Sequence, residues 1–237
     1  MLGMSPITWE NLYTEHADAY ELLVSHEDHE HHLVPAVEKL QPLKGAIAAE
    51  FGCGTGRVSG LLANRVQRLH AFDLTRSMLR VAQEKRIRPG WEHVTLVQAD
   101  SRSMPVCTAW ADFAIEGWSF LHIAVQNPSD WQFQLGCAVD EMKRVVRPGG
   151  KLILIETLGT GQTEPNPAAR YREVYDWLEK ERGFQPVAIR TDYLFETMDQ
   201  IRNVVIPLFG EKMLDVLIPS DAGIIVPECT GLWWLAL

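Results

Sequence analysis

The sequence predicts an α/β protein built on a doubly wound, mostly parallel, seven-stranded sheet. Two features carry this expectation. Short apolar runs alternate with helical periodicity from Ala46 to Ile155, and the first run ends in a glycine-rich turn, Glu50-Phe-Gly-Cys-Gly-Thr-Gly56. In such a sheet ligands bind at the carboxyl ends of the strands, where that turn falls.

Taken in order, residues from Thr8 to about Leu40 place Leu12, Ala17, Leu22, Leu23, Leu33, Val37 and Leu40 at helical spacings, which predicts an N-terminal helical cover over residues 1–44. The segment His26-Glu-Asp-His-Glu-His-His32 lies within it and lacks the H-E-x-x-H spacing of a metal helix, so it reads as a solvated face or loop. Ala46 to Phe51 reads as a buried strand and Gly56 to Asn64 as a helix. Leu69 to Asp73 is a second strand, and Thr75 can cap a helix that Pro89-Gly90 stops. Val94 to Val97 and Ala111 to Glu116 are the third and fourth strands. Gln132 to Val146 is a helix, and Gln126-Asn-Pro-Ser-Asp130 before it reads as a helix start with Pro128 in the first turn. The almost continuously apolar Lys151 to Ile155 is a fifth strand, buried on both faces.

Beyond it, Thr157 to Pro167 is a turn-rich loop leading into a helix from Ala168 to Lys180, so a lid is expected near residues 157–183. Val187 to Tyr193 is a sixth strand. Glu196 to Leu217 is one or two helices broken near Pro207 and Gly210, and Thr230 to Leu237 is a last strand inserted between two others.

The chain of 237 residues is 46% hydrophobic and 22% charged, the composition of one globular domain with a small cap. Its net charge of -9 argues against a sequence-independent grip on nucleic acid or an anionic membrane, since both need a basic surface. Cys53, Cys107, Cys137 and Cys229 show no C-x-x-C spacing, so neither a zinc site nor a disulfide framework is expected. The N-terminus lacks the layout of a secretory signal, and no apolar run reaches the length of a membrane span. A cytoplasmic protein is expected, with no nucleic-acid, membrane or metal partner.

The glycine loop narrows the ligand. Gly52, Gly54 and Gly56 are spaced G-x-G-x-G, and Arg57 stands where a dinucleotide fingerprint needs its last glycine. Glycines here let the backbone turn sharply and approach a ligand closely.

These residues resemble the class I S-adenosylmethionine-dependent methyltransferases, with a Rossmann-like sheet, over roughly residues 40 to 237. Glu50 to Gly56 is similar to that family's first motif and Phe72-Asp-Leu74 to its acidic second. Gln98-Ala-Asp-Ser101 is similar to the third, and Asp112-Phe-Ala-Ile-Glu-Gly117 to the fourth. Arg147-Pro-Gly-Gly-Lys-Leu-Ile-Leu154 is similar to the turn and strand that follow.

The resemblance implies that residues 45–237 bind S-adenosyl-L-methionine, releasing S-adenosyl-L-homocysteine. Glu50, Gly52, Cys53, Gly54, Thr55 and Gly56 would surround its methionine part, with Glu50 facing the ammonium. Asp73, with Leu74 and Met78, would hold the ribose, where a strand-end carboxylate can accept both hydroxyls. Asp100 and Ser101 would meet the adenine, and Asp100 competes for an Asx turn. Tyr13 and Tyr20 would cover the methionine end or the acceptor. Glu116, Trp118 and His122 would border the transferring methyl group, with Glu116 and His122 as the candidates to orient or deprotonate an acceptor. Aromatic walls for a small-molecule acceptor are expected from Trp118, Tyr171, Tyr175 and Trp177. Two other classes stay open: a non-catalytic relative that binds S-adenosylmethionine, and an NAD-dependent oxidoreductase.

Overall fold

The computed structural model describes residues 17–85 and 89–237. Tyr13, and the expected helix before Ala17, lie outside the described residues.

Helices α1 (Ala17–Val24) and α2 (Leu33–Leu40) precede the alternating core. That core runs β1 (Ile47–Phe51), α3 (Arg57–Leu62), β2 (Arg68–Asp73), α4 (Arg76–Lys85), β3 (Val94–Gln98), β4 (Ala111–Gly117), α5 (Phe120–Gln126), α6 (Trp131–Val145) and β5 (Val146–Thr160). The remainder is α7 (Ala169–Lys180), β6 (Gln185–Arg190), β7 (Tyr193–Phe195), α8 (Met198–Val204), α9 (Ile206–Phe209), a 3-10 turn (Glu211–Val216), β8 (Ile218–Ser220), β9 (Gly223–Val226) and β10 (Glu228–Ala236).

The main sheet has seven strands in the order β3-β2-β1-β4-β5-β10-β6. Neighbours from β3 to β5 pair in parallel, and β10 runs antiparallel between β5 and β6. This is the doubly wound sheet and the inserted last strand that the sequence predicts. Side-chain alternation explains why its centre is apolar throughout: Ala49, Phe51, Ala114, Leu152 and Leu154 enter one core, while Ala48, Phe113, Ile115, Ile153 and Ile155 enter the other. Truncating a fully buried residue such as Phe113 to alanine would cost about 3–5 kcal/mol.

A second, three-stranded antiparallel sheet, β7-β9-β8, has no counterpart in the sequence reading. Tyr193, Phe195 and Val226 from it pack with Leu23 of α1 and with Ile201, Val204, Val205 and Met213, forming a third core beside the strand ends. The predicted sixth strand therefore ends at Arg190, and Tyr193 belongs to the small sheet.

Three local expectations change. Residues 157–160 continue β5 and pair with β10, so the irregular stretch starts only after Thr160. Pro128 follows α5 and precedes α6, whose first residue is Trp131, so it joins two helices. The segment His26 to His32 is a docked turn. His26 Nδ1 lies 2.9 Å from the Leu194 carbonyl, Asp28 accepts the His32 and Leu33 amides, and the Glu27 side chain is buried. Among the described residues no helix is long and apolar enough to cross a membrane, and no three potential metal ligands cluster.

Candidate functional site

The sheet order reverses between β1 and β4, and the loops leaving these strands touch. Ser119 Oγ donates to the Phe51 carbonyl at 3.3 Å, and a Cβ added to Gly52 would lie 2.4 Å from that of Ser119. Gly52 and Gly54 sit at φ of 68° and 54°, a region that favours glycine, so the turn needs them for conformation as well as for space. At Gly54 an added Cβ would meet no protein atom within 4 Å. It would project where a ligand can approach the backbone.

Over this switch point lies a cavity of about 190 Å³. Glu50, Gly52, Cys53, Gly54, Thr55, Asp73, Leu74 and Met78 line one side of it. Asp100, Ser101, Tyr20 and His122 line the rest, together with Trp118, Ser119 and Gln126. Thirteen of the candidate site residues named from sequence thus converge on one space. Gly56 lies behind the wall, where an added Cβ would come within 2.8 Å of Trp91.

Three acids, Glu50, Asp73 and Asp100, line this cavity together with Arg57 and Arg102. Glu50 is 1% exposed and accepts from the Ser59 amide and hydroxyl, and burial pushes its pKa up to about 8. Asp73 ends β2 and accepts from the Gly54 and Thr75 amides at 2.8 and 2.7 Å; burial raises its pKa against those bonds. Asp100 forms an Asx turn with the Arg102 amide and a bidentate pair with the Arg102 guanidinium, which lowers its pKa. The Asx turn and the cavity wall are therefore the same residue. Thr55 is fully buried, and its Oγ1 has no hydrogen-bond partner.

A second cavity of about 500 Å³ opens beside the first, toward the small sheet. Tyr20, Arg57, Trp118 and His122 line both, so they form the passage between them. Trp118 holds a left-handed backbone at φ 54°, the kind of strain that collects at functional sites. Its ring lies under the Arg57 guanidinium, 3.5 Å from the centroid. Arg57 Nη1 pairs with the buried Glu27 carboxylate at 2.8 Å, and Thr191 Oγ1 donates to Glu27 at 3.2 Å. Burial lowers the His122 pKa to about 4, leaving the imidazole neutral at working pH.

Glu116 lines neither cavity. It is fully buried under the start of α5 and accepts from the Ser119 amide and hydroxyl and from the Phe120 amide. Its Oε2 thus satisfies the first amides of a helix, while its Oε1 is buried without a hydrogen-bond partner. Glu156, on the neighbouring strand β5, accepts from the Leu121 amide and does line the second cavity. Burial and the nearby Glu116 carboxylate both raise its pKa. Of the expected aromatic walls, Trp118 and Tyr171 face the second cavity, whereas Tyr175 stacks on Trp233 and Trp177 packs edge-on against Trp131.

Sequence reasoning passed over Arg57, Glu27, Glu156 and Glu228. Glu156 and Glu228 had a local signal, an acid inside or bordering an apolar run, because a buried charge needs a partner or a purpose; Glu27 and Arg57 had none.

Residues 49–154, which span the glycine loop, the strand-end acids and the passage, match the family model described as the methyltransferase domain. That match spans just under half of the chain and makes this span similar to a methyltransferase domain. The chain is 29% identical over 147 residues to the demethylmenaquinone methyltransferase of Anoxybacillus flavithermus, covering 61% of this chain and 58% of that protein. It is 34% identical over 123 residues to the malonyl-[acyl-carrier protein] O-methyltransferase of Pseudescherichia vulneris, covering 52% and 43%. The chain thus spans about three-fifths of the length of the first of these relatives. It shares its fold with Haemonchus contortus phosphoethanolamine N-methyltransferase 2, solved with phosphomonomethylethanolamine and S-adenosylhomocysteine. The TM-score is 0.61 at 15% identity, over 98% of this chain and 61% of that one.

Proposed function

We propose that this methyltransferase binds S-adenosylmethionine in the cavity over β1 and β2 and transfers its methyl group to a small-molecule acceptor in the cavity beside it. The observation that carries the reading is the passage: two cavities of different character meet at Tyr20, Arg57, Trp118 and His122.

The residues present fit the cofactor. Its ammonium suits the Glu50 carboxyl, which a bound cation would draw into the charged form, its carboxylate suits the free Thr55 hydroxyl, and Gly54 leaves room for close approach. Asp73 accepts from the ribose hydroxyls, Asp100 and Ser101 meet the adenine, and Leu74 and Met78 contribute apolar surface. Once bound, the cofactor supplies a methyl group on positively charged sulfur, open to in-line displacement. The protein's task is then alignment of an acceptor through the passage. Trp118, fixed by strain and by Arg57, forms a rigid side of that passage. His122 holds a proton too weakly to serve as an effective base near neutrality, so it orients the acceptor by hydrogen bonding as a neutral imidazole.

The reading borrows its reaction class from relatives whose names specify methyl transfer to small or carrier-bound acceptors. Calorimetry with S-adenosylmethionine, S-adenosylhomocysteine and NAD tests it. Micromolar binding of the first two is expected; NAD binding alone would overturn it.

A further inference from the structure

The second cavity contains a buried acid with one oxygen unpartnered; burial and the nearby Glu27 push its pKa up to about 8, so a cation seated on it would draw it into the charged form. Glu228 opens β10, is 1% exposed and lines this cavity. Its Oε1 accepts from Thr157 Oγ1 at 2.7 Å, whereas its Oε2 has no hydrogen-bond partner. A buried carboxylate oxygen left unbonded is costly, and a ligand that donates to it removes the cost.

The other charges around the cavity leave that role open. Glu27 and Glu156 add two more acids to the wall. Arg57 is held by Glu27 and by the Trp118 ring, and Arg170 is exposed, bonded to the Tyr171 hydroxyl with its guanidinium over that ring. Arg190 lies near the start of β10 but makes a bidentate pair with Asp192. An anionic acceptor would find the unpartnered Arg57 Nη2 and the rim Arg170, but it would sit among the three acids Glu27, Glu156 and Glu228 and leave Glu228 Oε2 without a donor. A neutral apolar acceptor would leave Glu228 Oε2 as it stands.

Resting on the methyltransferase reading, we propose that the acceptor cavity selects molecules bearing an ammonium group, seated on Glu228 Oε2, with an apolar or aromatic body against Tyr171 and Phe209. The ammonium is a recognition group and need not be the atom methylated. Its N–H donors complete the carboxylate that Thr157 half satisfies.

The test is calorimetric titration of the full chain saturated with S-adenosylhomocysteine, using three probes of one shape: phenethylamine, 2-phenylethanol and 3-phenylpropionate. Phenethylamine is expected to bind about tenfold or more tighter than the alcohol, with the acid weakest. Glu228→Gln keeps a group that can accept from Thr157 and should weaken the amine about tenfold while leaving S-adenosylhomocysteine affinity unchanged, which also verifies that the variant folds. The probe series on the unmodified protein tests charge preference without any variant. Equal or tighter binding of the alcohol or acid, no binding of any probe, or an unchanged amine affinity in Glu228→Gln would each overturn the proposal. Failure of S-adenosylhomocysteine to bind is a different result: it rejects the cofactor reading, and the same titration without it still reports whether the cavity prefers the amine.

Discussion

Arg57 and Trp118 are locked face to face, guanidinium over indole at 3.5 Å, at the point where the two cavities meet. The contact ties the residue just after the glycine loop to the residue just after β4, and so couples the donor turn to the acceptor wall. Glu27 completes the arrangement from the turn between α1 and α2.

Removing Glu27 leaves Arg57 buried with its charge uncompensated. Glu27→Ala is expected to lower stability by about 3 kcal/mol, since breaking one half of a buried pair costs more than the pair contributes. Replacing both, as Glu27→Leu with Arg57→Met, should cost less than the single change. Urea unfolding of the set checks the order.

The glycines of the donor turn separate fold from function. Gly52→Ala meets Ser119 at 2.4 Å in addition to its positive φ, so it should lower stability by roughly 2 kcal/mol or more. Gly54→Ala meets no protein atom and carries only the backbone strain, about 1 kcal/mol. Yet it fills the ligand's approach, so S-adenosylhomocysteine affinity should fall at least about tenfold. Melting curves and calorimetry on both variants test the contrast.

Glu50 makes apo stability depend on pH. Its folded-state pKa is about 8 against 4.5 when unfolded, so the native state retains a proton the unfolded chain has lost. Stability is greatest below about pH 4.5 on this account and falls as pH rises toward 8. Glu50→Gln removes the ionisation and should raise stability at pH 8 by roughly 2 kcal/mol relative to the unmodified chain, while abolishing the contact proposed for the cofactor ammonium. Higher melting temperature with weaker cofactor binding is the expected signature; weaker melting at pH 8 contradicts it.

His122 works in the opposite direction. With a folded-state pKa near 4 against 6.5, the unfolded chain binds the proton first, and stability is lost as pH falls from 6.5 toward 4. His122→Asn should flatten that loss by roughly 1–2 kcal/mol, read from unfolding at pH 7 and pH 4.5. In turnover, an orienting imidazole predicts a kcat profile without an ionisation near pH 6.5.

What could be read from the sequence was local. The glycine turn, Asp73 and Asp100 declare themselves because each follows a short apolar run at a strand end, where one stretch of chain sets both the element and its ligand-facing group. The inserted β10 was legible from an apolar run that stops without a turn residue. Glu27 was hidden because histidine-rich neighbours made its segment look solvated, and only a contact with Arg57, far along the chain, buries it. Glu228 precedes the strand as the sequence reading drew it, so its acid looked like an edge. Glu116 looked functional because strand-end acids often are; the helix start above it, which the periodicity left unmarked, claims its oxygen instead. Strands β8 and β9, three and four residues long, are too short to show alternation.

The reversed direction of β10 divides the labour along the chain. Parallel strands β1, β2 and β4 send their carboxyl ends to the proposed donor cavity, but β10 presents its first residue, Glu228, to the proposed acceptor cavity beside Thr157. Donor recognition is thus written in the first half of the sequence and much of acceptor recognition in the last part. On the proposed reading, exchanging the short span from Gly223 to Thr230 for that of a relative is expected to change acceptor preference while leaving the glycine loop untouched.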